Sequence, residues 1–385
     1  MKSSGTKSNK TPKALKIGLV FDDSLDNPDG VQQYITSLGE WFTSQGHEVR
    51  YLVGETKLAQ QRKDIYSLSR NLRVSFNKNR LSVPLPARKE GIQRVLDKEK
   101  FDVLHIQLPC SPMMGGRVVA MAPPETMIVG TFHIVGYHWL ANQGAKILGM
   151  WQRKMMQRFD HVIGVSEAAK DFATKYFSVQ DCTVLPNVVT RERFVDAKPI
   201  AHLQDGKINI VFLGRLVERK GCQYLIEAIR RLRDRGAADN IRVLICGKGP
   251  LEGHLKQLVR NYKLQQQISF VGFVREEDKA NYLASADFAI FPSTGGESFG
   301  IVLLEAMAAG SGVVMGGNNE GYRTVLGPQS NHVLFNPHNT QVFADKIQLL
   351  ITNPKLRERI HDWQEKEIIK YDVETVGPKL LHVYQ

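Results

Sequence analysis

The segment 295–305, GGESFGIVLLE, holds two carboxylates eight residues apart beside a pair of glycines. A strand before the glycines and a helix beginning at Ser298 would expose unpaired backbone N–H groups, where an anion or a hydroxyl can bind. The same helix would bring Glu297 and Glu305 to nearly one face. We predict that both carboxylates accept hydrogen bonds from the hydroxyls of one long ligand. The alternative is that Glu297 caps the helix and Glu305 is a surface charge.

A second cluster is cationic. The apolar run 208–213 predicts a strand that ends at Gly214, and Arg215 and Lys220 follow it. A helix is predicted over 220–235, with both cations near its start. A guanidinium and an ammonium placed there can neutralise a diphosphate leaving group. The alternative is ordinary surface charge, which is the usual position of Arg and Lys.

Two further positions follow strands in the first half of the chain. Gly30, which precedes Val31, comes after the loop of the first predicted strand, and a glycine there lets the backbone approach a ligand closely. His133 ends another predicted strand, at the edge where parallel sheets bind their ligands. A lone histidine is more often structural, and that interpretation is given to His105.

The order of elements predicts a scaffold that would bring these residues together. Apolar runs alternate with helical patterns over 15–195 and again over 205–360, which predicts two α/β domains. Each resembles a doubly wound sheet, so we expect two Rossmann-like domains facing a central cleft. Residues 1–14 are predicted to be a disordered tail. Residues 361–385 are predicted to be a helical segment that packs back onto the N-terminal domain.

The composition excludes several classes of protein. The chain has 385 residues, of which 42% are hydrophobic and 23% charged, as in ordinary globular domains. Its four cysteines form no CxxC pair and have no histidine cluster near them, so no metal site is predicted. The N-terminus lacks the apolar core of a signal peptide, and no apolar run is long enough to span a bilayer. We therefore expect a cytoplasmic protein.

The net charge of +12 could attract a nucleic acid, an anionic membrane or a phosphorylated substrate. The segment 137–159 mixes Trp, Leu, Ile and Met with Lys and Arg, which favours a helix on an anionic membrane surface. The alternative is a helix packed on its own domain with a solvated basic face. Basic and aromatic residues cluster only loosely there, so no nucleic-acid partner is predicted.

The run GGESFGIVLLEAMAAG and its E-x7-E spacing resemble the retaining glycosyltransferases of family 4, which have the GT-B fold. The resemblance extends over nearly the whole chain from Lys16, and the phosphatidylinositol mannosyltransferases are similar. It implies that Glu297 contacts donor sugar hydroxyls and that Glu305 holds the ribose. The N–H groups of Phe299 and Gly300 would face the sugar.

The resemblance also assigns the remaining site residues. The family grips the nucleotide diphosphate with the pattern seen here as GR…RKG, and a His in the TFH position approaches the donor sugar. The first loop usually reads Gly-Gly in relatives, whereas Asp29 replaces the first glycine here. The predicted catalytic residues are His133, Arg215, Lys220 and Glu297. The predicted donor-binding residues are Gly30, Val31, Gly214, Arg215, Lys220, Val274, Glu276, Lys279, Glu297, Ser298, Phe299, Gly300, Ile301 and Glu305.

The donor is expected to be a nucleoside diphosphate sugar. A carboxylate and a lysine near the base read guanine in the mannosyltransferases, and Glu276 could accept from guanine N1–H and N2–H₂, which uracil lacks. The alternative is that Glu276 has no role in binding and is simply an acidic residue at a helix start, where the helix dipole favours a negative charge. GDP-mannose is therefore the predicted donor, and UDP-sugars are the alternative. No cofactor is required by the sequence, and Mg²⁺ is compatible with it.

The expected reaction moves the sugar to an acceptor hydroxyl with retention, by the front-face attack ascribed to the family, in which the departing phosphate takes the acceptor proton. The acceptor would be a small molecule or a membrane lipid such as a phosphatidylinositol, with the protein peripheral on the inner face of the membrane. Cys110 and Ile134 stand where inositol-specific relatives generally have polar residues. Other readings are a non-catalytic nucleotide-sugar-binding protein and a sugar-nucleotide epimerase of the same fold.

Overall fold

The computed structural model describes residues 13–26, 29–76, 79–109, 111–133 and 139–385, and it describes side chains in those ranges except at 72–84 and 139–145. Most of the predicted tail, Cys110 and Ile134 therefore lie outside the described residues.

The N-terminal half is built on a parallel sheet. Its strands are β1 Lys16–Phe21, β2 Glu48–Val53, β3 Ile65–Ser67, β4 Asn71–Phe76, β5 Asn79–Pro84, β6 Val103–Gln107, β7 Met127–Phe132, β8 His161–Gly164 and β9 Cys182–Val184. Its helices are α1 Gly30–Ser44, α2 Lys89–Glu99, α3 Met114–Met121, α4 Trp139–Met156 and α5 Glu167–Phe177. The sheet order is β3-β2-β1-β6-β7-β8-β9, while β4 and β5 form a separate antiparallel hairpin.

The C-terminal half repeats this plan. Its strands are β10 Ile208–Leu213, β11 Ile241–Cys246, β12 Ile268–Gly272, β13 Phe288–Phe291, β14 Val313–Gly317 and β15 Leu334–Phe335. Its helices are α6 Cys222–Asp234, α7 Glu252–Asn261, α8 Glu276–Ala284, α9 Ile301–Ala308, α10 Glu320–Leu326, α11 Ser330–Val333, α12 Thr340–Thr352, α13 Pro354–Glu367 and α14 Val373–Val383. The strands are parallel in the order β12-β11-β10-β13-β14-β15.

Burial explains why the central strands read as continuous apolar runs. Ile17 and Leu19 in β1, and Ile210 and Val211 in β10, are fully buried because helices cover both faces of each sheet. β1 lies between β2 and β6, and β10 lies between β11 and β13, so each sheet has a switch point at its centre. Crevices for ligands form at the carboxyl ends of strands at such points. The two parallel sheets confirm the predicted α/β class.

The chain crosses back to the first domain near its end. The amide of Val189 donates to the carbonyl of Tyr371 at 2.9 Å, and the amide of Val373 donates to the carbonyl of Val189 at 3.0 Å. Beyond this crossing, α14 packs on α1, where Gly377 lies against the Trp41 ring so closely that a Cβ would be 2.6 Å from it. The last helix thus belongs to the core of the N-terminal domain.

Two helix starts differ from the prediction. The helix predicted over 220–235 begins at Cys222, after a 3₁₀ turn over Glu218–Lys220 and a left-handed Gly221 with φ of 72°. The helix predicted from Ser298 begins at Ile301, because Gly300 has φ of 109° and interrupts it. In both cases a glycine with positive φ ends the preceding loop, so the site residues before it lie on a loop instead of a helix.

Candidate active site

A cleft of about 500 Å³ runs between the carboxyl ends of the two sheets. It brings together almost every residue that the sequence assigned to the donor or to catalysis. Its lining includes Gly30, Val31, His133, Gly214, Arg215, Lys220, Val274, Glu276, Lys279, Glu297, Ser298, Gly300, Ile301 and Glu305. The side chain of Phe299 does not line it, because it is 1% exposed and packs edge-on against the Tyr371 ring at 5.6 Å, whereas the prediction for this residue concerned its backbone N–H.

Glu297 is a carboxylate of this cleft on which two cations converge. It follows β13 on the loop that contains the glycine pair, and its side chain is 12% exposed. Its Oε1 accepts from Arg219 Nη1 at 2.7 Å, Lys220 Nζ at 2.8 Å and Ser293 Oγ at 2.9 Å. Burial raises the pKa of Glu297, but the charges of Lys220 and Arg219 outweigh that effect and hold the pKa below its ordinary value. The carboxylate is therefore ionised, with three donors on one of its oxygens.

The two cations come from the 3₁₀ turn between β10 and α6. Gly221 closes this turn in a left-handed conformation, and a Cβ there would lie 1.9 Å from the carbonyl oxygen of Pro292. This close approach holds the turn against the loop that follows β13. Arg215 lies earlier, on the loop after β10, and also lines the cleft. Lys220, predicted as the first residue of the helix, lies instead in the 3₁₀ turn before α6, and Arg215 precedes the helix as predicted.

The second carboxylate, Glu305, is buried inside α9 with 5% exposure, so its interpretation as a surface charge is wrong. Lys279 in α8 pairs with both Glu305 and Glu276. Burial disfavours the charged ammonium, but the two carboxylates outweigh it and raise the pKa of Lys279. Gln33 of the other domain also hydrogen-bonds Glu305. A compact polar cluster therefore closes one end of the cleft.

The N-terminal wall of the cleft is formed by the start of α1. Asp29, at the position where the resemblance led us to expect a glycine, adopts an extended backbone with φ of −134°. Its carboxylate accepts from the amides of Val31 and Gln32 at 2.9 and 2.8 Å and so caps the helix. The aspartate therefore fits this loop without needing the backbone freedom of glycine.

His133 lies at the end of β7, facing the cleft with 6% exposure. Burial lowers its pKa to about 3, so the imidazole is neutral, and the neighbouring Asn187 amide opposes the shift. Its Nε2 is 2.8 Å from Gln107 Oε1. His133 is thus a fixed neutral group at the cleft wall and cannot act as a cation near neutral pH.

A direct hydrogen bond joins the two domains beside the site. Ser166, the N-cap of α5, donates from Oγ to the carbonyl of Ser298 at 2.8 Å. Ser166 is fully buried, so this bond is shielded from water. It ties the N-terminal domain to the loop that carries Glu297.

Several residues of the cleft were not predicted. Arg219, Lys248 and Phe273 line the wall formed by the C-terminal domain, and Gln33 and Asn187 line the wall formed by the N-terminal domain. Arg219 had a signal in the sequence, because it immediately precedes Lys220 and a two-residue cationic turn could have been proposed. The others follow strands or lie inside a helix and carry no local pattern that distinguishes them from surface residues.

Family models match both halves of the chain. The model described as Glycosyltransferase Family 4 matches residues 28–193, and the model described as Glycosyl transferases group 1 matches residues 196–366. A phosphatidyl-myo-inositol mannosyltransferase of Mycobacterium leprae is 30% identical over 96% of this chain and 96% of that protein. The chain belongs to the family 4 glycosyltransferases. An alpha-monoglucosyldiacylglycerol synthase of Streptococcus pneumoniae is 24% identical, over 96% of this chain and 85% of that protein.

Solved structures of GT-B glycosyltransferases confirm the fold of this family 4 member. A glycosyltransferase from Rickettsia africae superposes with a TM-score of 0.76 at 18% identity, over 96% of this chain and 98% of that one. Anabaena HepE, solved in complex with UDP, superposes with a TM-score of 0.74 at 15% identity, over 96% and 99% of the two chains. At such identities the likeness concerns the fold alone.

Two properties of the described part of the chain concern membranes and metals. None of the helices there has both the length and the hydropathy to cross a bilayer. Among the same residues, His, Cys, Asp and Glu side chains form no group of three or more placed to hold a metal ion.

Proposed function

We propose that this glycosyltransferase moves mannose from GDP-mannose to a hydroxyl of a membrane lipid such as a phosphatidylinositol, with retention at the anomeric carbon. The observation that carries the proposal is the convergence of Arg219, Lys220 and Glu297 on one point of the cleft. Two cations beside a carboxylate match a sugar diphosphate, which presents an anionic leaving group next to neutral hydroxyls.

Each end of the donor has a counterpart in the cleft. The diphosphate would lie against Arg215, Arg219 and Lys220. Because Arg219 and Lys220 would then also pair with phosphate oxygens, their ion pairs with Glu297 would weaken. The carboxylate then accepts from hydroxyls of the sugar. Glu305, already held by Lys279, would accept from the hydroxyls of the ribose.

The preference for guanine rests on Glu276 at the start of α8. Its side chain is 57% exposed while one oxygen pairs with Lys279, so the carboxylate is open to a ligand. A carboxylate there can accept from the adjacent donors N1–H and N2–H₂ of guanine, whereas uracil offers one N–H, and the amino group of adenine lies beside the acceptor N1. Val274 and Phe273 provide apolar surface for the base plane nearby.

The chemistry proposed is attack of the acceptor hydroxyl on the face from which the phosphate departs. A double-displacement route would need a carboxylate nucleophile beside the anomeric carbon. Glu297 is held by three donors and is better suited to bind than to attack. The leaving phosphate can take the acceptor proton while Arg215, Arg219 and Lys220 stabilise its charge. His133, neutral and fixed, would position the sugar.

A lipid acceptor is supported by the exposed face of α4. Ile147, Met150 and Trp151 are 65%, 65% and 75% exposed, in a protein where most large apolar side chains are buried. Lys146, Arg153 and Lys154 lie exposed around them. Apolar side chains ringed by cations fit the interface of an anionic bilayer. We propose that α4 docks the enzyme on such a surface.

The proposal is tested by incubating the protein with GDP-mannose and vesicles containing phosphatidylinositol, with product detected by mass spectrometry. A mannosylated lipid whose anomeric configuration, measured by NMR, matches that of the donor is expected. The controls are Lys220→Ala and vesicles without phosphatidylinositol, which should yield no product. Product from UDP-glucose but none from GDP-mannose would contradict the donor assignment, and product with the opposite anomer would contradict retention.

A further inference from the structure

The penultimate residue of the chain lies in the core of the N-terminal domain. Tyr384 follows α14 and is 3% exposed. Its hydroxyl is 2.7 Å from Nδ1 of His105, a fully buried residue of β6. The Tyr384 ring also packs on Phe42 of α1 at 5.3 Å, so ring and hydroxyl have separate contacts.

His105 continues the connection on its other nitrogen. Its Nε2 lies 2.6 Å from Oγ1 of Thr131, which is also fully buried, and the Thr131 side chain hydrogen-bonds the Tyr34 hydroxyl. Burial, with a smaller contribution from His133, lowers the pKa of His105 to about 3, so the ring is neutral. A neutral imidazole has one donor and one acceptor nitrogen. Tyr384 must therefore either donate to Nδ1 or accept from it, and in both cases its loss leaves a buried nitrogen without a partner.

The hydrogen-bonded chain from Tyr384 through His105 to Thr131 and Tyr34 reaches the wall of the cleft. Thr131 is in β7, and His133 directly follows the last residue of that strand, on the side where both His133 and His105 contact Tyr34. The Tyr34 ring packs edge-on against His133 at 4.8 Å and against His105 at 6.4 Å. Tyr34 belongs to α1, the helix whose first residues line the cleft. One buried polar chain thus supports both elements of the N-terminal wall.

We infer that Tyr384 is a positioning residue, whose hydroxyl holds the ring of His105 in place and, through Thr131 and the ring contact of Tyr34, sets the orientation of His133 at the proposed donor site. The significance of His133 rests on the proposed function, whereas the coupling itself does not. The N-terminal wall of the cleft is then complete only when α14 and Tyr384, which follow the C-terminal domain in the sequence, are packed against it.

The test is ¹⁵N NMR of the histidine rings of the full chain, in wild type and in Tyr384→Phe, which keeps the ring and removes the hydroxyl. The ring signals of both His105 and His133, assigned with His→Gln variants, are expected to shift. Tyr66→Phe is the matched control, because the hydroxyl it removes bonds Glu99 elsewhere in the same domain. It should leave both sets of signals unchanged, and thermal unfolding checks that each variant is folded.

A shift confined to His105, with His133 unchanged, would overturn the inference. If Tyr384→Phe fails to fold, Thr131→Val breaks the chain at its other end and should shift both histidines too, while Thr131→Ser should restore the wild-type signals. In turnover assays, Tyr384→Phe should lower kcat about tenfold and change the donor KM by less than about twofold, since a misplaced group affects reaction geometry more than binding. Coupled NMR shifts in a protein that transfers no mannose would refute the proposed function and leave this inference intact.

Discussion

At the scale of single residues, Glu297 holds the charges of the cleft together. One of its oxygens receives a guanidinium, an ammonium and a hydroxyl. A bound diphosphate would also pair with Arg219 and Lys220, so the phosphate oxygens and the Glu297 carboxylate would compete for the same two cations. On the proposed function, Glu297 pairs with the two cations before the donor binds and would accept from the sugar hydroxyls afterwards.

We predict that Glu297→Gln lowers turnover by at least about 100-fold, because the sugar loses a charged hydrogen-bond partner. GDP should bind as tightly as to wild type or more tightly, since Arg219 and Lys220 no longer neutralise a carboxylate. Calorimetry and initial rates measure the two effects. Glu277→Gln, at a side chain 67% exposed, is the control. A Glu297→Gln enzyme within about threefold of wild type would be incompatible with this role.

Arg219 was not predicted from the sequence as a site residue, and its position in the structure gives a second prediction. Arg219→Ala should weaken GDP binding by about tenfold or more, since a charge-assisted hydrogen bond to phosphate contributes about 1.5–3 kcal/mol. Arg235→Ala, which removes a guanidinium paired with Asp345, should leave the affinity unchanged. Equal GDP affinities for the two variants, measured by calorimetry, would remove Arg219 from the diphosphate site.

At the scale of elements, the loops that carry the site are shaped by close contacts of glycine. A Cβ at Gly221 would lie 1.9 Å from the carbonyl oxygen of Pro292, and the residue has a φ of 72°, which other residues rarely adopt. Gly253 in α7 has nothing within 4 Å of a Cβ. The two positions make a matched pair for the same substitution.

Gly221→Ala is expected to lower the free energy of unfolding by more than about 2 kcal/mol, because the backbone is strained and the methyl group collides with a carbonyl. Gly253→Ala should raise it by up to about 1 kcal/mol through helix propensity. Chemical denaturation measures both. A Gly221→Ala protein as stable as wild type would mean that the turn relaxes freely and does not fix Lys220.

Helix α4 supports a prediction about membranes. Replacing Ile147, Met150 and Trp151 together by Ser should abolish co-sedimentation with vesicles containing phosphatidylglycerol, because the apolar contact area is lost. Val342→Ser with Leu349→Ser, at exposed apolar residues of α12, is the control and should bind like wild type. Equal binding by the triple variant would place the membrane contact elsewhere.

At the scale of the whole molecule, two buried neutral histidines make stability depend on pH. The pKa values of His105 and His133 are about 3 in the folded chain, below the ordinary 6.5. Between these values the unfolded chain binds more protons, so stability falls as pH falls below 6.5. His105→Gln should reduce this slope by up to about 1.4 kcal/mol per pH unit, measured by denaturation from pH 7 to pH 4. An unchanged slope would show that His105 is protonated in the folded state.

The sequence predicted what depends on local pattern. Apolar runs located the central strands, and the motif around Glu297 located the cleft. The contact between Lys279 and Glu305 brings together two helices, and no spacing encodes it. The helix starts at Cys222 and Ile301 were missed because a glycine with positive φ, set by tertiary contacts, ended each preceding loop. The hydrogen bond between Tyr384 and His105 joins residues 279 positions apart, so only the structure could reveal it.

The measurement that tests the central claim most directly is calorimetric titration of GDP, UDP and ADP into the wild-type protein and Lys220→Ala. The account predicts that GDP binds at least about tenfold more tightly than UDP or ADP, and that Lys220→Ala loses most of this affinity. No binding of any nucleotide, or GDP binding that survives Lys220→Ala unchanged, would contradict the assignment of this cleft as a guanosine diphosphate sugar site.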